Sequence, residues 1–494
     1  MPSSEWLAPA LRRLLTTLDD LARERQLSLY LVGGVLREAW SPAPSAARAI
    51  NVDLAVSRDA MRLARAVADA TRGTLVVLDE PLGAVRVIVG RDDERYELDL
   101  NDFRAPTIEG DLAKRDFTVN AMALDVHECL QRTPETWAQT LLDPLGGRGD
   151  LARGLLRAVY AETFRDDPVR ILRGISLAAR RGWTIDEPTQ RLMRAAAPEL
   201  PRVAGERLRD ELFKLFTATR AATYVRLADE LGALAALFPE ILPCRGTDQG
   251  PHHHLDVWAH SLETLVQLEA TLTEAWYPSS LWAFIQPYLD ERLAGEHSRL
   301  ALLKLVALLH DIGKPATRTV DETGRLWFTG HEHLGAQMAA KIAERLKLSA
   351  KEREALVRHI AAHLRPGFLS REPVITQRAI YRFFRDTARE GPGVLLVWMA
   401  DRLASRGRDV PPEEIPHQRA VIERLLAAYF VRPEESVSPP RLVTGHDLMQ
   451  ALHLPPGPTI GELLTAIAEA QVERKVTTRE AALQFAQHFL QGAR

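Results

Sequence analysis

The sequence predicts an α+β protein, in which a small mixed sheet within residues 1–150 is followed by an all-helical remainder. Short apolar runs bounded by turn residues alternate with helix-like segments up to about residue 100, and beyond residue 150 apolar residues recur at helical spacing. With 494 residues, 46% of them hydrophobic and 26% charged, the chain suits roughly three globular domains. Changes of pattern divide it into residues 1–150, 151–240, 251–410 and 411–494.

The charge balance and the cysteines limit the classes of function. The formal net charge is -3, so binding to nucleic acid would require local basic patches. The two cysteines, Cys129 and Cys244, are far apart, which argues against a disulfide framework or a cysteine zinc site and suits a reducing cytoplasm. The amphipathic N-terminal helix lacks the apolar core of a signal peptide, and no run is long enough to span a membrane. We therefore expect a cytoplasmic protein.

A strand that runs into two adjacent glycines follows the N-terminal helix. Four apolar residues at 29–32 precede Gly33 and Gly34, and a helix-like segment that contains Arg37 comes next. This order predicts a strand, a tight turn and a helix start. Because glycine has no Cβ, the turn could bring backbone N–H groups close to a phosphate.

A second strand, predicted at residues 49–56, carries Asn51 and Asp53 on one face. Two acidic groups at such positions would hold Mg²⁺ against a triphosphate, but here one of the two is an amide. A helix and three more strands follow, with the helix at 59–71 and the strands at 74–78, 84–89 and 96–100. Glu97 and Asp99 share a face of the last strand. They either bring a third carboxylate beside Asp53 or mark a solvent-facing edge strand.

The segment at residues 111–120 combines cations with hydrogen-bonding side chains. Lys114 and Arg115 can balance the charge of a triphosphate. Asp116 can orient Arg115, and Asn120 can bind a ribose hydroxyl. The alternative is a charged helix N-terminus capped by Asp116.

A helix predicted to begin near Pro168 carries two groups that could read a base. Asp167 and Arg170 are three residues apart and therefore share a helix face. A carboxylate accepts from the exocyclic amine of cytosine or adenine, and a guanidinium donates to the adjacent ring nitrogen. Uracil and guanine place an acceptor at the amine position and would be rejected. The alternative is an ordinary ion pair at a helix end.

Together these segments resemble the bacterial class II tRNA nucleotidyltransferase and poly(A) polymerase family. The similarity lies in Gly33-Gly34-x-x-Arg37, Asn51-x-Asp53, Arg115-Asp116-Phe117-Thr118-x-Asn120-Ala121, Asp143-Pro144-x-Gly146-Gly147-x-x-Asp150 and Asp167-Pro168-x-Arg170. It implies a nucleotidyltransferase head at residues 1–150, a helical neck at 151–240 that templates the nucleotide and binds RNA, and a tail at 411–494 that binds tRNA. It also implies Mg²⁺ in the head and the addition of C, A or both, from CTP and ATP, to tRNA 3′ ends.

The resemblance also implies the site residues of the head. The nucleotide-binding positions are Gly33, Gly34, Arg37, Lys114, Arg115, Asp116, Asn120, Asp167, Arg170 and Arg173. The catalytic positions are Asp53, which is also the metal ligand, and Asn51, and Asp99 is added to them because of its place on the neighbouring predicted strand. Whether the product is a complete CCA end, a single A, CC or poly(A) stays open.

Four positions depart from the family pattern, and one of them loses a charge. Glu38, Lys114 and Asp166 replace an aspartate, an arginine and a glutamate, so they keep their charges. Asn51 stands where the first catalytic carboxylate is usual. An amide is a poor ligand for the metal that activates the attacking 3′-hydroxyl, although Glu97 or Asp99 could compensate.

The histidine-rich region from residue 251 to about Gly407 carries a second set of reactive groups. Adjacent His310 and Asp311 follow an apolar helix, where they can converge on one metal with ligands from other helices. The set resembles the HD metal-dependent phosphohydrolase superfamily over about residues 251–402. It implies a divalent transition metal such as Mn²⁺, Ni²⁺, Fe²⁺ or Zn²⁺, held by His260, His310, Asp311, His331, His363 and Asp401.

Nearby histidines fit this pattern less well. His363 is favoured over His359 as the ligand because of the residues that follow it. The run His252, His253 and His254 is expected at a helix entry or at the surface. Residues 278–297 show poor periodicity and are interpreted as an insertion between helices.

The last region follows a polar, proline-bearing linker at residues 432–440. Residues 442–461 resemble the C-terminal region of HD-bearing CCA-adding enzymes, and their glycine turns could bind phosphates or belong to a packing module. The leading interpretation of the whole chain is an RNA nucleotidyltransferase with an attached phosphohydrolase. The alternative is an HD phosphohydrolase or an RNA-binding protein whose head is impaired by Asn51.

Overall fold

The computed structural model describes residues 7–41, 51–81, 83–90, 95–405, 411 and 413–492. The chain divides into two compact units, the first formed by residues 1–203 with 227–236 and the second by residues 204–226 with 237–494. In the described part of the chain, no helix is both long enough and apolar enough to cross a membrane.

The first unit is built on a six-stranded mixed sheet. Its strands are β1 (Leu29–Val32), β2 (Asn51–Val56), β3 (Thr74–Asp79), β4 (Ala84–Val89), β5 (Tyr96–Asp102) and β6 (Ala123–Asp125). The strand order is β3-β4-β5-β2-β1-β6, with β2 and β5 parallel and the other neighbours antiparallel. Because β5 lies between β4 and β2, the interpretation of residues 96–100 as an edge strand is wrong.

Helices surround this sheet and continue past residue 150. They are α1 (Pro9–Glu24), α2 (Gly34–Ala39), α3 (Ala60–Thr71), α4 (Ile108–Leu112), α5 (Val126–Gln131), α6 (Pro134–Thr140), α7 (Gly147–Arg153), α8 (Thr163–Asp166), α9 (Val169–Arg181) and α10 (Glu187–Ala196). The apolar stripe of α1, formed by Leu11, Leu15 and Leu18, is fully buried, as its periodicity predicts. Pro168 precedes α9 and Gly182 ends it in the left-handed conformation, so both ends of α9 have a local cause.

The second unit is mainly helical, and the chain crosses between the units after residue 203 and again within α12 (Ala221–Glu230) and α13 (Ala233–Leu237). The other helices are α11 (Gly205–Phe216), α14 (Val257–Thr271), α15 (Ser279–Asp290), α16 (Arg299–Leu309), α17 (Lys314–Thr317), α18 (His331–Arg345), α19 (Ala350–Ala362), α20 (Arg365–Ser370), α21 (Gln377–Thr387), α22 (Gly391–Ala404), α23 (Glu414–Phe430), α24 (Pro433–Ser436), α25 (Gly445–Leu452), α26 (Pro458–Val472) and α27 (Arg479–Gly492). The α+β fold class is therefore confirmed.

The centre of this unit is α16. All of its residues except Leu300 are buried, and α14, α19 and α22 pack around it. A helix that is apolar on nearly all sides is stable only inside a core, which explains this position. The last three helices enclose a smaller core of their own, centred on Leu448, Leu463 and Ile467. That core agrees with the interpretation of the tail as a packing module.

The helical remainder also contains short strand pairs that the sequence did not predict. The pairs are β7 (Leu155–Leu156) with β8 (Thr184–Ile185), β9 (Arg292–Ala294) with β10 (His297–Ser298), and β11 (Thr319–Val320) with β12 (Leu326–Trp327). Each strand has only two or three residues, too few to show an alternating pattern.

Two segments interpreted as irregular also contain helices. The supposed insertion at residues 278–297 is largely α15, whose buried residues Leu281, Ile285 and Leu289 recur every fourth position. An exposed Phe284 obscured this spacing in the sequence. The supposed linker at 432–440 contains α24. The predicted strand start at Ala49 and the predicted region end at Gly407 lie outside the described residues.

Candidate functional sites

The glycine turn between β1 and α2 lies directly against Asp53. Gly33 has a φ of +65°, and a Cβ there would lie 2.7 Å from Asp53 Oδ2. The Gly34 N–H donates to the same oxygen at 3.2 Å. A residue other than glycine at position 33 would therefore be strained and would also displace the carboxylate. The turn places backbone N–H groups beside Asp53, where phosphate and metal would meet.

Four polar side chains lie on one face of the parallel pair β2–β5. In the register, Asn51 is opposite Glu97 and Asp53 is opposite Asp99. This arrangement confirms that β5 brings a further carboxylate beside Asp53, with Asp99 as the nearer of the two candidates. Burial raises the pKa of Asp53, the Gly34 N–H lowers it, and the charge of Asp99 raises it further.

Arg86 on β4 neutralises both carboxylates of β5. It donates from Nε to Asp99 Oδ1 at 2.6 Å and from Nη2 to Asp99 Oδ2 at 2.8 Å, and it pairs with Glu97 at 2.7 Å. The Asn51 amide donates to Asp99 Oδ2 at 3.2 Å. Asp53 forms no ion pair with any described residue. Asp53 is thus the carboxylate of this face that stays open to a divalent cation, whereas Glu97 and Asp99 are committed to Arg86 and cannot make up for Asn51 in this arrangement.

A hydrogen-bonded network connects Arg37 to α9. Arg37 donates to Asn120, Asn120 donates to Asp116 Oδ1 at 3.0 Å, and Arg173 lies 3.5 Å from Asp116 Oδ2. Burial lowers the pKa of Arg37 to about 10. Burial alone would raise the pKa of Asp116, but Arg173 and the other donors leave it lowered. Four of the predicted nucleotide-binding residues are therefore brought together.

The predicted orientation of Arg115 by Asp116 is wrong. Arg115 instead pairs at 2.8 Å with Asp111, which lies four residues earlier. Asp116 accepts from the Phe117 N–H at 2.8 Å and is occupied by the network described above. A nearby departure from the family pattern, Glu38, forms an ion pair with Arg181 at the end of α9.

Arg170 is held mainly by hydroxyl groups. Its Nη1 donates to Thr163 Oγ1 at 2.7 Å and to Tyr160 Oη at 3.1 Å, while Asp167 Oδ2 lies 3.9 Å from Nε. Asp167 and Arg170 are adjacent, as predicted, but the contact between them is too long for a hydrogen bond. Lys114 Nζ lies 5.4 Å from the centre of the Tyr160 ring. Tyr160, which the sequence reasoning missed, thus links Lys114 to Arg170.

The second unit contains a buried cluster of four histidines and two aspartates. Its members are His260 on α14, His310 and Asp311 after α16, His331 at the start of α18, His363 after α19 and Asp401 on α22. They form two groups whose ligand atoms lie within 4.8 Å of one another, His260, His310 and Asp401 in one and Asp311, His331 and His363 in the other. We refer to these six residues as the histidine–aspartate cluster. The structure brings together all six predicted ligands.

The hydrogen bonds of three ring nitrogens show that the cluster suits a metal. Nδ1 of His310, His331 and His363 lies 2.7–2.9 Å from the carbonyl oxygen of the residue three positions earlier. A carbonyl only accepts, so Nδ1 carries a proton in each ring, and Nε2 presents a lone pair whenever the ring is neutral. His331 Nε2 and His363 Nε2 are 3.2 Å apart, and two lone pairs cannot bond each other. A cation between them would resolve the repulsion.

Asp311 lies between the two groups. Its Oδ2 is 3.2 Å from His310 Nε2 and 3.7 Å from His260 Nε2, while Oδ1 is 3.3 Å from His331 Nε2 and 3.6 Å from His363 Nε2. The carboxylate therefore faces both ligand groups, and its two oxygens could serve as ligands in both. Burial would raise the pKa of Asp311, but His310 and Lys314 hold it well below its usual value. Burial also lowers the pKa of His260 and of His363, which favours the neutral form that binds metal.

Lys314 and a glycine shape the side of the cluster near α17. Lys314 Nζ lies 2.6 Å from Asp311 Oδ2 and donates to Gln249 Oε1 at 2.6 Å. A Cβ at Gly313 would lie 2.3 Å from the His331 carbonyl oxygen, so only glycine lets α17 approach α18 this closely. The sequence Gly313-Lys314 therefore serves the cluster through packing and charge.

The remaining histidines are only partly as predicted. His359 is outside the cluster, with Nδ1 at 2.7 Å from the Ala355 carbonyl oxygen, and His363 lies inside it as expected. His252 and His254 are exposed. His253 lies before α14 and outside the two ligand groups, as predicted, but its ring centre is 4.7 Å from that of His260 and burial lowers its pKa to about 2.

Family models match four segments of the chain. They are the poly A polymerase head domain at residues 29–157, the probable RNA and SrmB-binding site of polymerase A at 182–244, the HD domain at 257–405 and the putative domain 2 of tRNA nucleotidyltransferase at 439–486.

Relatives and solved structures that match most of the chain agree with these segments. The chain is 34% identical to the A-adding tRNA nucleotidyltransferase of Deinococcus radiodurans, covering 93% of this chain and 95% of that one. It is 32% identical to the CC-adding tRNA nucleotidyltransferase of Thermus thermophilus, covering 84% and 83%. A CCA-adding enzyme solved with CTP shares the fold, with a TM-score of 0.65, 20% identity and 99% of each chain covered.

Proposed function

Because the chain belongs to the tRNA nucleotidyltransferase and poly(A) polymerase family and carries an HD domain, we propose that it adds C, A or both to tRNA 3′ ends, using CTP and ATP. The observation that carries this proposal is the contact between the glycine turn and Asp53, which joins backbone N–H groups and a metal-binding carboxylate at one point. Relatives that match most of the chain support it, and they disfavour the alternative of an RNA-binding protein with an impaired head.

Heads and HD domains of these families depend on divalent metal. In the head, Mg²⁺ at Asp53 would neutralise triphosphate charge and favour deprotonation of the attacking hydroxyl. Arg37 and Arg115 exert positive charge on Asp53 and would attract the triphosphate to the same place. The network of Asn120, Asp116 and Arg173 holds Arg37 at its position.

The test is nucleotide addition to three tRNAs that end before the CCA sequence, after CC and after CCA. We expect incorporation of CTP into the first tRNA, of ATP into the second tRNA, or both of these reactions. We expect no addition to the third tRNA. Addition of many A residues to the third would assign the protein to poly(A) synthesis. No incorporation into any of the three, with Mg²⁺ present, would contradict the proposed function.

Arg170→Ala is expected to weaken the choice of C and A over U and G. A bidentate contact to a base is worth about 1–3 kcal/mol of discrimination, so selectivity should fall by about 5- to 150-fold. The measurement is single-turnover addition with each of the four nucleotides, alongside tRNA binding, which should change little.

The control for this experiment is Arg165→Ala, which removes an exposed arginine five residues earlier. It should keep normal selectivity. If Arg170→Ala keeps full selectivity for C and A, the base is read by other residues. If both variants lose selectivity equally, the loss of a positive charge is the cause.

We also propose that the HD domain hydrolyses phosphate esters, because the histidine–aspartate cluster offers four imidazole rings and a carboxylate that faces both ligand groups. Mn²⁺, Ni²⁺, Fe²⁺ and Zn²⁺ suit this ligand set. Such ions supply a water of lowered pKa and neutralise phosphate charge. Lys314, held by Gln249, keeps the Asp311 carboxylate ionised and in place.

The division into head (1–150), neck (151–240), HD domain (251–410) and tail (411–494) is part of the same proposal. The matches to an RNA-binding site at 182–244 and to a nucleotidyltransferase domain at 439–486 support tRNA binding by the neck and the tail. We further propose that the protein works in the cytoplasm, because its relatives are tRNA nucleotidyltransferases.

A further inference from the structure

The histidine–aspartate cluster is open to solvent on one side. Of its six side chains, Asp401 is the most exposed at 14%, and the other five are 0–7% exposed. Next to Asp401 are Ser405 and His253, whose Oγ and Nδ1 atoms are 3.4 Å apart. Since the other ligands are covered, a substrate would reach the cluster past Asp401 and His253.

A cavity of about 670 Å³ begins at His253. Its volume lies in the range of pockets that hold a nucleotide-sized ligand. Another part of its wall is the hairpin of β11 and β12, which contributes Arg318 and Arg325. His253 therefore lines a cavity that carries two guanidinium groups, and its ring also packs against that of His260 in the histidine–aspartate cluster.

The two arginines have no acidic partner among the described residues. The Arg318 side chain makes no hydrogen bond or ion pair in that part of the chain, and Arg318 follows Lys314 by one helical turn. The Arg325 guanidinium lies 4.2 Å over the Trp327 ring, and Trp327 Nε1 donates to Asp321 Oδ2 at 2.8 Å. Stacking on a fixed indole holds this guanidinium while leaving its N–H groups at the edge able to donate.

Two carboxylates near the cavity, Asp321 and Asp248, accept hydrogen bonds from backbone N–H groups of their own loops. Asp321 accepts from the backbone N–H groups of Thr323 and Arg325, and Asp248 accepts from the N–H of Gly250. Neither approaches a guanidinium of the hairpin within the distance of an ion pair. The cavity therefore carries two guanidinium groups that no described carboxylate pairs with at ion-pair distance, and arginine binds phosphate oxygens at two points.

We propose that the β11–β12 hairpin binds a second phosphate of the substrate, carried on the 5′ side of the same nucleoside whose 3′-phosphate the histidine–aspartate cluster hydrolyses. This inference rests on the proposed phosphohydrolase function. It assigns the substrate class as a nucleoside that carries a terminal phosphate ester and a further phosphate, found at a 3′-phosphorylated RNA end or in a nucleoside 3′,5′-bisphosphate. In the reaction water adds to phosphorus, the bond to the 3′-oxygen breaks, and that oxygen takes up a proton, which releases inorganic phosphate.

The experiment compares three substrates with the metal-loaded, full-length protein. They are a nucleoside 3′-monophosphate, a nucleoside 3′,5′-bisphosphate and a dinucleotide with a 3′-phosphate. We expect kcat/KM to be at least about tenfold higher for the two substrates with a second phosphate. Arg318→Ala and Arg325→Ala should remove this preference mainly through KM, without changing the monophosphate reaction or the metal content.

Two further variants make the test specific. Arg318→Lys should retain part of the preference, because it keeps the charge but not the two-point contact. Arg353→Ala removes an arginine of α19 that is half exposed and should behave as the natural protein. A preference for the dinucleotide over the bisphosphate would identify an RNA end as the source, and the reverse would identify a mononucleotide.

The subsite would be overturned by a natural protein that hydrolyses all three substrates equally, or by arginine variants that slow all three alike. A metal-loaded natural protein that hydrolyses none of them would overturn the phosphohydrolase function itself and the subsite with it. The two failures are therefore distinguishable.

Discussion

Asp311→Ala is expected to remove the metal from the histidine–aspartate cluster and to lower phosphate-ester hydrolysis by more than about 100-fold, beyond the usual effect of residues that merely support ligands. The reason is that Asp311 faces both ligand groups, with Oδ2 towards His260 and His310 and Oδ1 towards the other two histidines. Its loss also leaves the buried Lys314 without its carboxylate.

The measurement is metal per chain by elemental analysis, with hydrolysis followed in the same preparations. We expect about two ions per cluster in the natural protein and fewer than one in the variant. His310→Ala should also lose metal, whereas His359→Ala, another buried histidine of this unit, should keep it. If both histidine variants lose metal to the same extent, loosened packing is the cause. Unchanged metal content in Asp311→Ala would refute the ligand assignment.

Asn51→Asp is expected to raise the single-turnover rate of nucleotide addition by at least about tenfold, or about 1.4 kcal/mol of activation free energy, with little change in nucleotide affinity. An amide offers the metal one neutral oxygen, and in this structure its N–H₂ donates to Asp99. Asp99 and Glu97 cannot take over, because Arg86 holds both. A carboxylate at position 51 would therefore give Asp53 the companion that it lacks.

Asn101→Asp is the matched control. This variant adds the same negative charge to the face of the β2–β5 pair that carries Asn51. Position 101 is two residues beyond Asp99 on β5 and lies opposite Ala55. An equal gain in both variants would mean that charge, and not ligation, limits the rate. Rapid addition by the natural protein with no gain in Asn51→Asp would show that the amide is tolerated and that a single ion at Asp53 is sufficient.

The order of β1 to β5, of the helices among them and of α9 could be predicted because each of these elements has a local cause, whereas β6 was not predicted. The glycine pair, the apolar runs and Pro168 each determine the backbone conformation of residues next to them in the chain. Arg86 could not be recognised, since a single arginine on a strand resembles any solvent-facing residue. Its role depends on which strands are neighbours, and β4 pairs with β5 through contacts that the local pattern does not reveal.

The partners of charged residues were predicted less well than their positions. Arg115 pairs with Asp111 at a spacing of four residues, a signal that the sequence contains and that sequence reasoning overlooked in favour of adjacent Asp116. His253 gave no such signal. It becomes part of the surroundings of the cluster only because the loop before α14 folds back onto His260.

The Nδ1 contacts of His310, His331 and His363 have a consequence for how the cluster takes up metal. Each imidazole is tethered to the backbone carbonyl three residues earlier in the chain, not to another ligand. The three rings would therefore keep their directions in the apoprotein, and little rotamer entropy would be lost when an ion arrives. Uptake should then resemble the loading of a rigid chelator, with a rate set by dehydration of the ion and by access past Asp401, and with little rearrangement of the surrounding helices.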